Sequence, residues 1–128
     1  MVYNEPSVYE NLIKIKHKFR TLTFNLIEEN LFNEFVLKVD EDETTGLLLV
    51  GFYCKFRNTA PIDWVTVAQI ENLNNTRNTN FTLVNYTGDK FAYMQLSQNG
   101  YVKIMTFTQN VDADVRYVLV SPGITLNV

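Results

Sequence analysis

Apolar and polar side chains alternate with a period of two over most of the chain. Such alternation predicts strands that bury one face and leave the other in solvent. The longest apolar row is Leu48, Val50, Phe52, Cys54 and Phe56. Runs of the same kind predict ten short strands in all, over residues 13–18, 21–26, 35–39, 48–56, 64–70, 81–86, 91–96, 101–107, 115–120 and 124–128.

Clusters of turn-forming residues separate these runs, at 40–46, 58–61 and 87–89. The clearest is Ser97-Gln98-Asn99-Gly100, because Asn and Gly both accept the positive φ of a type I′ hairpin. Leu96 and Tyr101 are therefore expected to begin paired antiparallel strands. Helical patterns are short, at Ser7–Leu12 and Leu26–Phe32.

These elements predict an all-β fold: an antiparallel β-sandwich, jelly-roll-like, with nine or ten short strands. Residues 1–128 are expected to form one domain, with 1–11 as an N-terminal arm or short helix. The predicted core consists of Ile13, Ile15, Leu48, Val50, Phe52, Cys54, Phe56, Ala92, Met94, Leu96, Val102, Ile104, Tyr117 and Leu119.

Composition excludes several classes of function but identifies none. The 128 residues carry a net charge of −3, which does not favour nucleic acid as a partner. The N-terminus lacks the pattern of a signal peptide. The longest apolar stretch, Leu47–Cys54, has eight residues, whereas a membrane helix needs about 20. We therefore expect no membrane insertion and no secretory export.

Few residues suit catalysis or metal binding. A single histidine and a single cysteine exclude an internal disulfide and a multi-histidine metal site. We expect His17 to be structural or exposed, and Cys54 to be a buried, inert thiol. The run Asp40–Glu43 has two interpretations, a calcium loop or a solvated hairpin tip, and the misplaced glycine favours the tip. No enzyme activity, cofactor or metal is predicted.

Saccharide recognition is the one binding chemistry that the sequence favours. Segment 72–80 is rich in asparagine and threonine, which bond to hydroxyl groups without burying a charge. It is either a surface loop or a recognition loop. Tyr53, Tyr93 and Tyr101 alternate with apolar positions and are expected to be partly exposed. The candidate ligand-binding residues are Asn75, Arg77, Asn78, Tyr86 and Trp64.

Two stretches carry a resemblance to a known class of protein. They are 59–68, Thr-Ala-Pro-Ile-Asp-Trp-Val-Thr-Val-Ala, and 91–104, which ends in Gly100-Tyr101-Val102-Lys103-Ile104, a "G-x-V/I-x-I" pattern. Residues 46–128 resemble C-terminal domains of bacteriophage tail-fibre and baseplate proteins. The resemblance implies a homotrimeric β-sandwich in the virion tail, made in the host cytoplasm, that binds host-surface saccharide or other tail proteins.

The expected function is therefore a non-enzymatic phage tail or baseplate module for saccharide attachment or baseplate assembly. Two alternatives remain open from the residues alone. A cellular carbohydrate-binding module would use the same aromatic and asparagine surface. A small β-fold glycoside hydrolase would need two carboxylates about 5–10 Å apart in a cleft.

Overall fold

The computed structural model describes residues 18–57, 61–106, 115–120 and 123–128. Strands account for 61% of these residues, and the described part contains no α-helix. This confirms the all-β prediction. The predicted strand 13–18 (except Lys18), the arm 1–11, the helix Ser7–Leu12, the core residues Ile13 and Ile15, and His17 lie outside the described residues. The described helices are not long and apolar enough to cross a membrane.

Within these ranges ten antiparallel strands form one sheet, and two single-turn 3₁₀ helices, Glu29–Leu31 and Gln98–Gly100, join some of them. The second predicted helix, Leu26–Phe32, is reduced to the first of these turns. The strands are β1 Phe19–Leu22, β2 Phe24–Leu26, β3 Phe32–Asp42, β4 Leu47–Phe56, β5 Val65–Ile70, β6 Thr79–Asn85, β7 Phe91–Leu96, β8 Tyr101–Thr106, β9 Arg116–Leu119 and β10 Ile124–Leu126.

The sheet nearly closes on itself as a flattened barrel. Its strand order is β1-β3-β4-β9-β6-β7-β8-β5-β2, and β10 pairs with β4. The two ends of this path, β1 and β2, are separated in the chain by Thr23 alone. The run 21–26, predicted as one strand, is therefore a bent segment whose first half pairs with β3 and whose second half pairs with β5.

Side chains from alternate positions fill the interior. Of the twelve predicted core residues that the structure describes, eleven are buried, and Leu119 is half-buried against them. A chain of aromatic contacts crosses this core, with ring centroids 5.0–5.7 Å apart. The chain joins Phe24, Phe35, Phe32, Phe52, Phe56 and Tyr117. Each such pair adds about 0.5–1.5 kcal/mol beyond simple burial.

The β7–β8 turn follows the predicted backbone conformation with a different loop length. Asn99 (φ 58°) and Gly100 (φ 76°) both have positive φ, as expected. Leu96 pairs with Val102, and the Ser97 N–H donates to the Tyr101 carbonyl at 2.7 Å. The connection is therefore a three-residue loop, Gln98–Gly100, instead of the two-residue type I′ turn that the sequence predicted.

Gly100 and Gly88 provide a matched pair for testing what this turn requires. Both have positive φ, but a Cβ on Gly100 would overlap the Ile70 carbonyl, whereas a Cβ on Gly88 would meet nothing within 4 Å. Gly88→Ala should cost about 1 kcal/mol of unfolding free energy, the penalty for left-handed backbone alone. Gly100→Ala should cost at least about twice as much. Denaturant titration measures both values, and equal costs would contradict the close packing of Gly100 on Ile70.

Candidate functional site

Two polar rows run across the outer face of strands β6, β7, β8 and β5, at the end where β7 turns into β8. The lower row is Asn80, Gln95, Lys103 and Thr66, which are consecutive partners in the sheet register. The upper row is Asn78, Ser97, Tyr101 and Gln69, linked by hydrogen bonds and by the Gln69–Tyr101 pairing. Strand spacings of about 4.8 Å make these rows about 14 Å wide, and two residues of rise set them about 7 Å apart.

We call Asn78, Asn80, Gln95, Gln69 and Tyr101 the amide surface. Asn78, Asn80 and Tyr101 are exposed, and the two glutamines are half-exposed. The Gln95 amide donates to Asn80 Oδ1 at 2.9 Å, which fixes the orientation of both side chains. On the upper row, the Ser97 hydroxyl donates to Asn78 Oδ1 at 3.2 Å.

The strand alternation produces this surface. On β7 the inward positions are Ala92, Met94 and Leu96, so Gln95 faces outward between them. A bulge between Thr66 and Ala68 on β5 adds one residue, which keeps Gln69 opposite Tyr101 on the outer face. Four carboxamides and a tyrosine ring thus share one face, beside the ammonium of Lys103.

This arrangement can donate and accept hydrogen bonds without a formal charge and can offer an aromatic face. Carboxamides carry both donors and acceptors, which suits the paired hydroxyls of a sugar. The exposed part of the Tyr101 ring suits the C–H face of a sugar. The rows contain no carboxylate, so they provide neither of the two acids that glycoside hydrolysis uses.

The structure places Asn75, one of the predicted ligand-binding residues, in the interior. Its side chain is 2% exposed and points inward from the connection 71–78 between β5 and β6. Its amide nitrogen donates to the carbonyls of Arg77 (2.9 Å) and Ser97 (2.8 Å), and its oxygen accepts the Gly100 N–H at 2.8 Å. Asn75 therefore joins two turns and is buried away from the surface that a ligand would contact.

The structure does not bring the other four predicted residues together at one place. Asn78 belongs to the amide surface, and Arg77 is exposed beside it. Tyr86 is 86% exposed in the turn after β6, eight positions along the chain from Asn78, or about 26 Å along a strand. Trp64, 36% exposed just before β5, is level in the register with Thr82, midway between Asn78 and Tyr86. One ligand of ordinary size does not reach both Asn78 and Tyr86.

Tyr86 borders a separate open groove of about 280 Å³ lined by Lys55, Val115 and Arg116. The turn that carries it is held by Asn85, whose side-chain oxygen accepts the N–H groups of Asp89 and Lys90. Hydrogen bonds from Thr87 and Asn85 lower the pKa of the exposed Asp89 carboxyl. Tyr86 is thus presented on an ordered turn.

Sequence reasoning did not include Gln69, Asn80, Gln95 and Tyr101 in the candidate site. The usable signal was the polar alternation within β5, β6, β7 and β8. Tyr101 was predicted to be partly exposed, and the structure confirms this for Tyr101, Tyr53 and Tyr93. The strand order that brings these positions together is not visible in the sequence.

The remaining candidates for chemistry have structural roles. Cys54 is fully buried, and desolvation raises the pKa of its thiol far above the ordinary range, which confirms the inert interpretation. In the acidic run, Asp42 accepts the Thr44 N–H and the Thr45 hydroxyl, and Glu41 pairs with Arg20 at 2.7 Å. Among the described residues, no three metal-ligating side chains converge.

The role of Asn75 can be tested against its exposed neighbour Asn74. Asn75→Ala would leave the Gly100 N–H and two carbonyls without their buried partner, at a cost of about 2 kcal/mol or more. Asn74→Ala should stay within about 0.5 kcal/mol of the parent. Thermal or denaturant unfolding measures both, and a neutral Asn75→Ala variant would contradict the structural role.

Comparison of the chain with models of known protein families and with curated proteins found no match.

Proposed function

We propose that this chain is a non-enzymatic attachment module that binds a neutral saccharide through the amide surface. The observation that carries the proposal is the in-register set of carboxamides around Tyr101 on the outer face of β5–β8. The virion setting, a phage tail or baseplate, is supported only by the resemblance of residues 46–128 to such domains.

The local geometry supports binding by hydrogen bonds more than by charge. Hydrogen bonds to Asn80 and Ser97 already hold Gln95 and Asn78 in place, so little side-chain freedom is lost on binding. Two charged side chains are near: Lys103 lies within the lower row, between Gln95 and Thr66, and Arg77 is exposed next to Asn78. Since four of the five residues of the amide surface are uncharged carboxamides, we propose a neutral ligand, whose affinity should change little with salt.

The test uses the purified full chain on a glycan array and in adsorption to host cells. Tyr101→Ala should weaken binding about two- to tenfold, because an aromatic contact is worth about 0.5–1.5 kcal/mol and each 1.4 kcal/mol is a factor of ten. Asn80→Ala combined with Gln95→Ala should weaken it at least as much. Neither change touches the core, so the melting temperature should hold.

Tyr86→Ala is the matched control, since it removes an exposed tyrosine from the opposite end of β6. Unchanged binding by this variant locates the ligand on the amide surface. If Tyr86→Ala abolishes binding and Tyr101→Ala does not, the proposal is contradicted and the ligand binds at the Tyr86 groove. Strong salt dependence would contradict a neutral ligand.

Two other functions make different predictions in the same assay. A glycoside hydrolase would release shortened glycan from a bound sample, which mass spectrometry would detect. A chain that binds no glycan and no cell would instead be an assembly module, as the tail resemblance also allows. A cellular carbohydrate-binding module would share the surface, and genes encoding tail proteins on either side would favour the phage setting.

A further inference from the structure

An uninterrupted apolar row crosses the outer face of five adjacent strands, at the opposite end of the sheet face from the amide surface. Its members are consecutive partners in the sheet register: Val36 with Tyr53, Tyr53 with Val118, Val118 with Val84, and Val84 with Phe91. We call these five residues the apolar row. It spans β3, β4, β9, β6 and β7, about 19 Å at the usual strand spacing.

The apolar row is accessible to solvent. Val36 is 39% exposed, Val118 41% and Phe91 47%, while Tyr53 and Val84 are half-exposed. Val120, 47% exposed, widens the patch on the next row. Single exposed apolar residues are ordinary, but a contiguous patch across five strands is typical of a protein-binding face.

Charged residues flank the row on β3 in a self-complementary order. Glu34, Val36 and Lys38 occupy successive outward positions on that strand. Glu34 lies 3.3 Å from Arg116 Nε and 3.9 Å from Lys55 Nζ, and Lys38 Nζ lies 3.8 Å from Asp40. No hydrogen bond accompanies the Glu34–Arg116 contact, since Glu34 Oε1 has no hydrogen-bond partner. Glu34 Oε1 is buried, so Glu34 can meet a further partner only through Oε2, whereas the Lys38 side chain is 68% exposed.

We propose that a second copy of this chain packs face to face on the apolar row, related by a two-fold axis that runs along the row. Rotation about this axis places each strand opposite the same strand of the other copy. It places the residues on one side of the apolar row opposite the residues on its other side. Val36, Tyr53, Val118, Val84 and Phe91 then face their own symmetry mates. Glu34 of each copy faces Lys38 of the other, so the charges that flank the row become complementary.

Four of the five strands that carry the apolar row, β4, β9, β6 and β7, pair on both sides, which supports a face over an edge as the contact. The fifth strand, β3, pairs with β1 only over residues 39–42, so among the described strands its residues 32–38 have β4 as their single partner. Strands of two packed sheets cross at about 30° because each sheet is twisted.

The expected complex is a weak dimer. The face from Glu34 to Lys38 measures about 19 by 14 Å, smaller than the roughly 800 Å² per partner of a standard stable interface. We therefore expect a dimer that dissociates on dilution. The homotrimer predicted from the phage resemblance would need a different, head-to-tail contact.

Sedimentation equilibrium and light scattering of the full chain across the micromolar range test the proposal without any ligand. A dimer mass that falls on dilution is expected. Val118→Glu should give a monomer at every concentration, because it places a carboxylate against its own copy. Ile27→Glu is the matched control, as Ile27 is 49% exposed outside the row and should leave the dimer intact.

Variants that exchange the charges at Glu34 and Lys38 test the two-fold geometry. Glu34→Lys alone and Lys38→Glu alone should each weaken the dimer at least tenfold by opposing like charges. The double exchange E34K/K38E should restore it, with circular dichroism confirming that each variant is folded. A trimer mass, a monomer at all concentrations, or no recovery in the double exchange would overturn the proposal. Because no saccharide is present, this outcome is independent of whether the amide surface binds one.

Discussion

Closure of the sheet by one bent segment is the constraint on which the rest of this structure depends. Leu22 is buried and Phe24 half-buried on either side of Thr23, so β1 pairs with β3 and β2 pairs with β5. Glu71 holds the bend: its N–H donates to the Thr23 carbonyl, and its carboxylate accepts the Thr23 hydroxyl at 2.9 Å. With the two ends of the sheet joined, the apolar alternate positions of every strand share one enclosed interior.

Closure also decides what remains available for function. A nearly closed sheet has few free strand edges, so partners must use its outer face or its ends. The outer face divides along β6 and β7, from Asn80 and Gln95 at one end to Val84 and Phe91 at the other. A polar half suited to hydroxyl-rich ligands and an apolar half suited to another protein surface therefore coexist without overlapping.

Asn75 shows how a buried polar residue can organise a surface without belonging to it. Its amide ties the connection 71–78 to the β7–β8 turn through the Ser97 carbonyl and the Gly100 N–H. The Asn75 carbonyl also accepts the Asn99 N–H at 2.9 Å. These bonds fix the positions from which Asn78 and Tyr101 project. Substitution of a buried amide with this many hydrogen bonds lowers stability, because any other side chain leaves several backbone groups unpaired.

Local patterns along the chain are enough to predict the all-β class, the approximate limits of the strands and most of the core. Period-two alternation is a local property. The alternate residues from Leu48 to Phe56 and from Ala92 to Leu96 lie inside wherever their strands are placed. Positive φ at Asn99 and Gly100 was equally readable, because few other residue types accept that backbone. Only the tertiary structure decided the candidate surfaces. The sequence does not distinguish an exposed asparagine in a polar run, such as Asn78, from one buried between two turns, such as Asn75. The neighbours of Tyr101 and of Val118 come from strands distant in the chain, and strand order depends on how the whole sheet closes. Local alternation carries no information about that order.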